Sequence, residues 1–456
     1  MVLIVSGMTC IAYAEGIKDT VHNKKVMLSG MFETEVSEMV KARITYPAAP
    51  SKSSVDHVWG NRLMGTLHFD ARPTSFLNVR GGFEFREYTY RTDFSSNYNL
   101  GDFIYTNFFI REGQGIFSLY NDQSMSIDMA IGLMPYKYNP EVRGLGEFLF
   151  RSGTYPFYLY TDFDRPFARL TGLRAGLTYE SGMLGAKVDL FALTERETRP
   201  FWDLSFAAIG DISLFKIIDI GGGVDFAHAV AMDKSVTEPT DLSTEYYYNY
   251  NADSTHADTG HYTFAGTKVM ARGTIDPFGM VRHDDESFLK EIIGENGGKI
   301  YGEISIIGLE NYPANMNNPY GYDKLAEKMP FMLGISIPAW KIFDVLSLEF
   351  EHYPSRNPNS AAYIIRDGFP LPWFNDLGGE YDTSNATGSA AYKPRWYWTL
   401  YMKKQVIKNF SIVCQIGRDH QRWEMPMNYQ TFKYDYEDAL VKNDEWGWRI
   451  KTILNF

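Results

Sequence analysis

From Leu63 onward the chain runs in segments of about ten residues in which apolar and polar side chains alternate. Leu63-Met64-Gly65-Thr66-Leu67-His68-Phe69-Asp70 passes through the polar stretch Ala71-Arg72-Pro73-Thr74-Ser75 into Leu77-Asn78-Val79-Arg80-Gly81-Gly82-Phe83-Glu84-Phe85-Arg86. A period of two over such lengths predicts strands with one apolar face, and the short polar turn predicts that neighbours pair as hairpins. The same unit recurs around Ser181-Gly182, Phe215-Lys216, Lys341-Ile342 and Val406-Ile407-Lys408-Asn409.

The pattern predicts about sixteen strands, at 26–36, 61–71, 76–88, 104–120, 125–136, 171–180, 183–194, 203–214, 217–229, 263–275, 299–310, 330–340, 344–354, 395–406, 409–420 and 444–456. The connections alternate in length: long polar and aromatic ones follow most odd strands, at 37–60, 89–103, 137–170, 230–262, 311–329, 355–394 and 421–443, and brief ones follow the even strands. A soluble sandwich has no physical reason to gather its long loops at one end. An all-β, antiparallel up-and-down barrel through a membrane does, with short turns on one side and long loops on the other. One connection departs from this. On the short-turn side, 277–298 carries an acidic start, an apolar stripe and a glycine stop over 284–294, which predicts a short amphipathic helix on the periplasmic side.

The last strand defines the class. In Trp446-Gly447-Trp448-Arg449-Ile450-Lys451-Thr452-Ile453-Leu454-Asn455-Phe456, the tryptophans, Ile450, Thr452, Leu454 and Phe456 share one face, while Gly447, Arg449, Lys451 and Asn455 share the other. Such a strand fits a wall between lipid and a wet lumen. Here the sequence resembles the Gram-negative outer-membrane β-barrel family, porins among them. In that family a terminal Phe after alternating apolar residues is the signal read by the barrel-assembly machinery. The resemblance assigns that signal to Trp448, Ile450, Leu454 and Phe456, covers the architecture from about residue 26 to 456, and is unspecific for substrate.

Composition then falls into place. The 456 residues are 45% hydrophobic and 16% aromatic, with 31 Tyr, 31 Phe and 9 Trp, yet mean hydropathy is −0.28. A disordered chain would be poor in aromatics and a helical membrane bundle far more apolar. A barrel wall accounts for both figures, because a lipid-facing surface and an equally large polar inner surface cancel in the average. Trp396, Trp398, Trp446 and Trp448 at the outer ends, and Phe215, Phe343, Phe410 and Phe456 at the inner ends, suit the two interfacial girdles. The net charge of −12 argues against nucleic acid as a partner. Residues 1–14, MVLIVSGMTCIAYA, end in Ala12-Tyr13-Ala14, a small-residue cleavage pattern. They predict a secretory signal peptide whose missing basic region points to a truncated start, leaving 15–456 as a single barrel domain. With Cys10 in that leader, Cys414 has no disulfide partner.

A cation facing the membrane midplane would cost ~2–4 kcal/mol, so the strand charges must point inward. That parity assigns to the lumen His68, Asp70, Arg80, Glu84, Arg86, Arg174, Lys187, Asp189, Asp225, Lys268, Arg272, Glu303, Glu349, Glu351, Lys403, Arg449 and Lys451. Closure of the last strand on the first would bring Arg449 and Lys451 into one basic sector with Lys403, Arg80 and Arg86, bounded by Glu349 and Glu351. Opposed basic and acidic walls would filter charged solutes.

The connection 137–170 contains Leu145-Gly146-Glu147-Phe148-Leu149-Phe150-Arg151 and is too apolar to be solvated, so it must pack somewhere. By order and length it is similar to the third loop of sixteen-stranded porins, which folds into the lumen. That resemblance makes Glu147, Arg151, Asp162, Asp164 and Arg165 candidates for a constriction. An extracellular cap or a latch between subunits of a trimer is the competing placement.

Enzymatic signals are thin. None of the nine histidines opens a His-Glu-x-x-His motif. His256-Ala257-Asp258-Thr259-Gly260-His261 lies in a polar loop and reads as a solvated face before a metal site. Gly221-Gly222-Gly223 sits within a strand pattern, where glycine marks a bend or a close approach in the wall. The expectation is therefore a porin: a passive, water-filled diffusion channel for small polar or charged solutes, not an enzyme, with no cofactor and no metal. Outer-membrane lipid, the barrel-assembly machinery and, from the porin resemblance, two further copies in a homotrimer would be its partners. An adhesin or structural barrel with a blocked lumen and a barrel-embedded hydrolase are the alternatives.

Overall fold

The computed structural model describes residues 26–45, 54–92, 103–151, 168–194, 202–230, 232, 246–250, 257–261, 266–282, 293, 297–309, 324–340, 342–354, 395–418, 422–425 and 439–456. Its strands are β1 (Val26–Thr45), β2 (Ser54–Ala71), β3 (Leu77–Thr92), β4 (Phe103–Asn121), β5 (Met125–Tyr136), β6 (Ala168–Ser181), β7 (Leu184–Thr194), β8 (Leu204–Leu214) and β9 (Ile218–Val230). There follow β10 (Tyr246–Tyr250), β11 (Ala257–His261), β12 (Gly266–Ile275), β13 (Ile300–Ile306), β14 (Phe331–Ser336), β15 (Val345–Tyr353), β16 (Arg395–Ile407), β17 (Phe410–Arg418), β18 (Arg422–Met425) and β19 (Ala439–Asn455). Each wall strand pairs antiparallel with its neighbours in sequence, β9 pairs with β12, and β19 closes the ring against β1. With β17 and β18 lying in succession along β19, the ring has sixteen staves. The predicted all-β, up-and-down barrel is the observed fold.

Alternation sets the two faces. On β14, Phe331, Leu333 and Ile335 are exposed while Met332 and Ser336 are buried. On β12 the buried set is Lys268, Met270, Arg272 and Thr274. Those two strands state the rule of the wall: apolar side chains cover its outside, and charged or small ones fill its inside, as a membrane-spanning barrel requires. Trp396 and Trp446 at the long-loop end and Phe215 and Phe456 at the short-turn end all stand exposed on the surface. The turns are tight where two residues suffice. Phe215 and Lys216 take φ of 57° and 59°, the left-handed pair that matches the twist of a hairpin.

Strand height differs from the sequence expectation. The predicted 26–36 and 444–456 extend to Thr45 and back to Ala439, and β2 begins at Ser54 instead of 61. Above the apolar band both faces are wet, so alternation lapses while backbone pairing continues; periodicity therefore marks the membrane part of a strand and not its end. The stave predicted at 409–420 ends at Arg418 and resumes at Arg422. The expected loop 230–262 holds the hairpin β10–β11. In the connection 277–298 the described helical turn is Gly279–Arg282, and the predicted helix at 284–294 lies outside the described residues apart from the buried Ile293.

The glycine run on β9 has the expected role. A Cβ on Gly221 would meet Asp211 Oδ1 at 2.1 Å, and one on Gly223 would meet Leu149 Cδ2 at 3.1 Å. Both positions clear room inside the barrel, the second for a side chain that belongs to no wall strand.

Candidate functional site

Leu149 belongs to the connection that leaves β5. After Tyr136 the chain turns into the lumen, and residues 137–151 lie inside the barrel, ending in the helical turn Phe148–Arg151. Its apolar composition now has a cause. Tyr138, Leu149 and Phe150 pack with Tyr136, Phe191, Leu170, Ile209 and Met270 from the inner wall, and Val142, Leu145 and Phe148 pack with Tyr301, Ile307 and Met332. Val142, Leu145 and Leu149 have no solvent exposure. The segment is a core built in the lumen, where a porin-like third loop would be.

What fixes its far side is polar. Glu349 on β15 accepts through Oε1 from Arg143 N at 2.6 Å and Tyr301 Oη at 2.9 Å, and through Oε2 from Gly144 N at 2.9 Å and Leu145 N at 3.0 Å. Glu303 on β13 accepts through Oε1 from Tyr138 Oη at 2.6 Å and Phe148 N at 2.8 Å, and through Oε2 from Asn139 Nδ2 and Glu147 N, both at 3.0 Å. Glu351 takes the remaining amide, Gly146 N, at 3.1 Å. Six consecutive backbone N–H groups, 143–148, thus point at three wall carboxylates, and each oxygen of Glu303 and Glu349 has two donors, which is a carboxylate's full acceptor capacity. Burial, and after it the charge of Glu303, push the Tyr138 phenol well above its ordinary value, so it stays a donor. Gly146 sits at φ +78°, and a Cβ there would lie 2.9 Å from Met332 Cγ, so the arc needs glycine at that point.

The rest of the inner wall is a set of mixed-sign clusters. Lys451 lies 3.6 Å from both Glu33 and Glu35 of β1, Arg449 lies 3.4 Å from Glu35, and Arg62 of β2 binds both glutamates. Glu84 is held between Arg86 and Arg111, and the guanidinium groups of Arg86 and Arg169 stand 4.7 and 4.9 Å from the Phe109 ring centroid. Arg174 bridges Asp128 and Asp189, which also binds Lys187 at 2.9 Å. Arg272 pairs with Asp211, Arg80 with Asp70 at 3.1 Å, and Lys268 donates to Leu149 O at 3.4 Å opposite Asp225 in the ladder. Lys403 stands between Val345 and Val413, both buried.

All the strand residues assigned to the lumen from sequence lie on this inner face, but their grouping differs. Arg449 and Lys451 do not form a basic sector with Arg80 and Arg86; they are paired with β1 glutamates, while Glu349 and Glu351 are turned to the loop. Glu33, Glu35, Arg62, Arg111, Asp128 and Asp211 were missed. For Glu33 and Glu35 the signal was present, since Phe32 and Val36 bracket them with outward parity. Of the constriction candidates, Glu147 is buried in the arc and accepts from Asn139 N at 2.7 Å. Arg151 ends the helical turn, and Asp162, Asp164 and Arg165 lie outside the described residues, as does His256. Among the described residues no group of His, Cys, Asp and Glu is arranged to hold a metal.

A closed ring of sixteen staves, apolar outside and charged inside, with a loop folded into its lumen, defines a porin-like transmembrane β-barrel. No family model matches the chain, and no curated protein matches it. Among solved structures it is similar to variants of the Rhodopseudomonas blastica porin. A triple mutant is 6% identical with a TM-score of 0.37, and a double mutant is 6% identical with a TM-score of 0.36; each alignment covers 94% of this chain and 100% of that one. The class rests on the barrel itself and not on that distant likeness.

Proposed function

We propose that this protein is an outer-membrane channel through which small polar or charged solutes diffuse passively, without cofactor or energy input and without enzymatic activity. The observation that carries the reading is the luminal segment 137–151, which crosses from β5 to β13 and β15 and so narrows the bore. Solutes would pass beside it along the charged inner wall, where Arg80 and Lys187 keep 45% and 40% of their side chains exposed. Pore-lining roles for the wall charges and an assembly role for the terminal Phe456 belong to the same proposal, as does a homotrimer. Purified protein added to a planar bilayer should give discrete current steps; a lipid-embedded, folded barrel giving none would overturn the channel.

One observation favours the alternative of a blocked barrel. Lys451, Glu33 and Glu84 have no solvent exposure although they lie on the wall away from the segment's anchor. If the lumen is closed, the same bilayer experiment is silent, and the long outer loops become the functional surface.

A further inference from the structure

We propose that the inner wall of β5–β8 carries a subsite for small zwitterions, solutes that hold an ammonium and a carboxylate a few bonds apart, as α-amino acids and short peptides do. This names a solute class for the proposed channel, and its transport part rests on that reading. The site is built across neighbouring staves. Arg174 on β6 bridges Asp128 of β5 and Asp189 of β7, reaching Asp189 Oδ1 at 3.2 Å. Asp189 also faces Lys187 at 2.9 Å and accepts from Tyr136 Oη at 2.7 Å. Lys187 lies opposite Asp211 of β8 in the ladder, and Asp211 pairs with Arg272 of β12. Gly176 makes the arrangement possible: it stands opposite both Asp128 and Asp189, and a Cβ there would lie 2.8 Å from Asp128 Oδ1 and 3.0 Å from Asp189 Oδ1. The two carboxylates therefore converge over one residue that has no side chain.

Charge and burial then select the ligand. Asp128, Asp189 and Asp211 balance Arg174, Lys187 and Arg272, so the cluster is neutral as a whole. Such a wall exerts little net field on a passing ion of either sign. Asp189 and Arg272 are buried, whereas Lys187 keeps 40% and Asp128 27% of the side chain exposed. An ammonium and a carboxylate thus face the lumen on either side of a buried, fixed acid. A solute with one charge engages only one of them. A zwitterion brings its carboxylate to Lys187 and its ammonium to Asp128 together, making two charge-assisted hydrogen bonds while the balance of the wall is kept. Arg80 and Asp70, 3.1 Å apart next to the short turn between β2 and β3, repeat the same pairing of signs with Arg80 exposed.

Binding is read apart from transport. With the purified barrel in lipid vesicles, saturation-transfer NMR should show alanine in contact with the protein and its uncharged isomer lactamide not. Lys187→Met and Asp128→Asn should each abolish the alanine signal. Transport is read by vesicle swelling, in which alanine should enter at least about twofold faster than lactamide, and by reversal potentials, in which K+ and Cl− should pass within about threefold of each other. Lys187→Met should turn the current towards cations and Asp128→Asn towards anions, yet both should bring the alanine-to-lactamide ratio down to about one. A merely structural role for either residue would not give opposite ion selectivities with the same loss of solute preference. The comparison of the two isomers on the unaltered protein stands even if a variant fails to fold. Equal NMR signals from the isomers, measurable entry at equal rates, or an alanine signal retained in both variants would overturn the subsite and leave the channel intact. An alanine signal without entry of either solute and without current would overturn the channel and leave the subsite.

Discussion

Glu303 and Glu349 stand on staves separated only by β14, and between them they accept five of the six consecutive amides at 143–148. Two side chains thereby hold a loop across the inside of a membrane barrel. Truncating one leaves its donors without acceptors in a buried site. A buried donor left without an acceptor costs about 1–3 kcal/mol, and four such losses are not additive, so Glu303→Ala should destabilise the barrel by roughly 3 kcal/mol or more. Urea unfolding in vesicles, followed by tryptophan fluorescence, checks this; a change within about 0.5 kcal/mol would mean that the arc finds other acceptors.

The barrel was legible in the sequence and the anchoring of the luminal arc was not, for one physical reason. Membrane strands must alternate, so each stave, including the final 446–456 segment, shows its two faces in residue type. The arc at 143–148 is made of backbone N–H groups, which every residue but proline carries, and it leaves no pattern beyond its glycines. Glu349 and Glu351 were therefore readable as inward charges but not as anchors. Glu33 and Glu35 could have been found, because they obey the alternation between Phe32 and Val36.

The outer face gives a cleaner test of parity. Leu333 on β14 is 55% exposed and flanked by the buried Met332. If its surroundings are hydrocarbon, Leu333→Arg should cost ~2–4 kcal/mol in lipid vesicles, whereas an exposed leucine on a water-soluble barrel would tolerate the change. Equal stability of the two proteins would place β14 outside the membrane.

The ionic cluster at the seam predicts coupling. Lys451 and Glu33 are both fully buried, 3.6 Å apart, beside Glu35 and Arg62. Lys451→Met removes one of three cations, beside Arg62 and Arg449, that face Glu33 and Glu35 in a buried cluster, and should cost about 3–5 kcal/mol. Glu33→Gln in that background removes a carboxylate that has already lost its Lys451 partner, so the double variant should cost at least about 1 kcal/mol less than the sum of the singles. Strict additivity would show that the two groups act independently.

The same seam is closed by an aromatic ring over a glycine. Phe456 N donates to Gly30 O at 2.9 Å and Gly30 N donates to Phe456 O at 2.8 Å, so the ladder between β1 and β19 runs to the last residue. A Cβ on Gly30 would lie 2.3 Å from Phe456 Cζ, which means that the ring occupies the space a side chain would fill. Gly30→Val must expel the ring, and the fraction of protein that migrates as folded, heat-modifiable barrel should drop. Phe456→Ala should lower that fraction as well, by removing the ring's contact with the seam. The clash has only one source, so the two effects cannot add: in the Phe456→Ala background, Gly30→Val should cost little further, and valine supplies β-propensity that glycine lacks. A double variant as poor as the sum of the singles would show that Gly30 is required for the backbone conformation of β1 and not for the ring. In that case Phe456 would act at the terminus by another route.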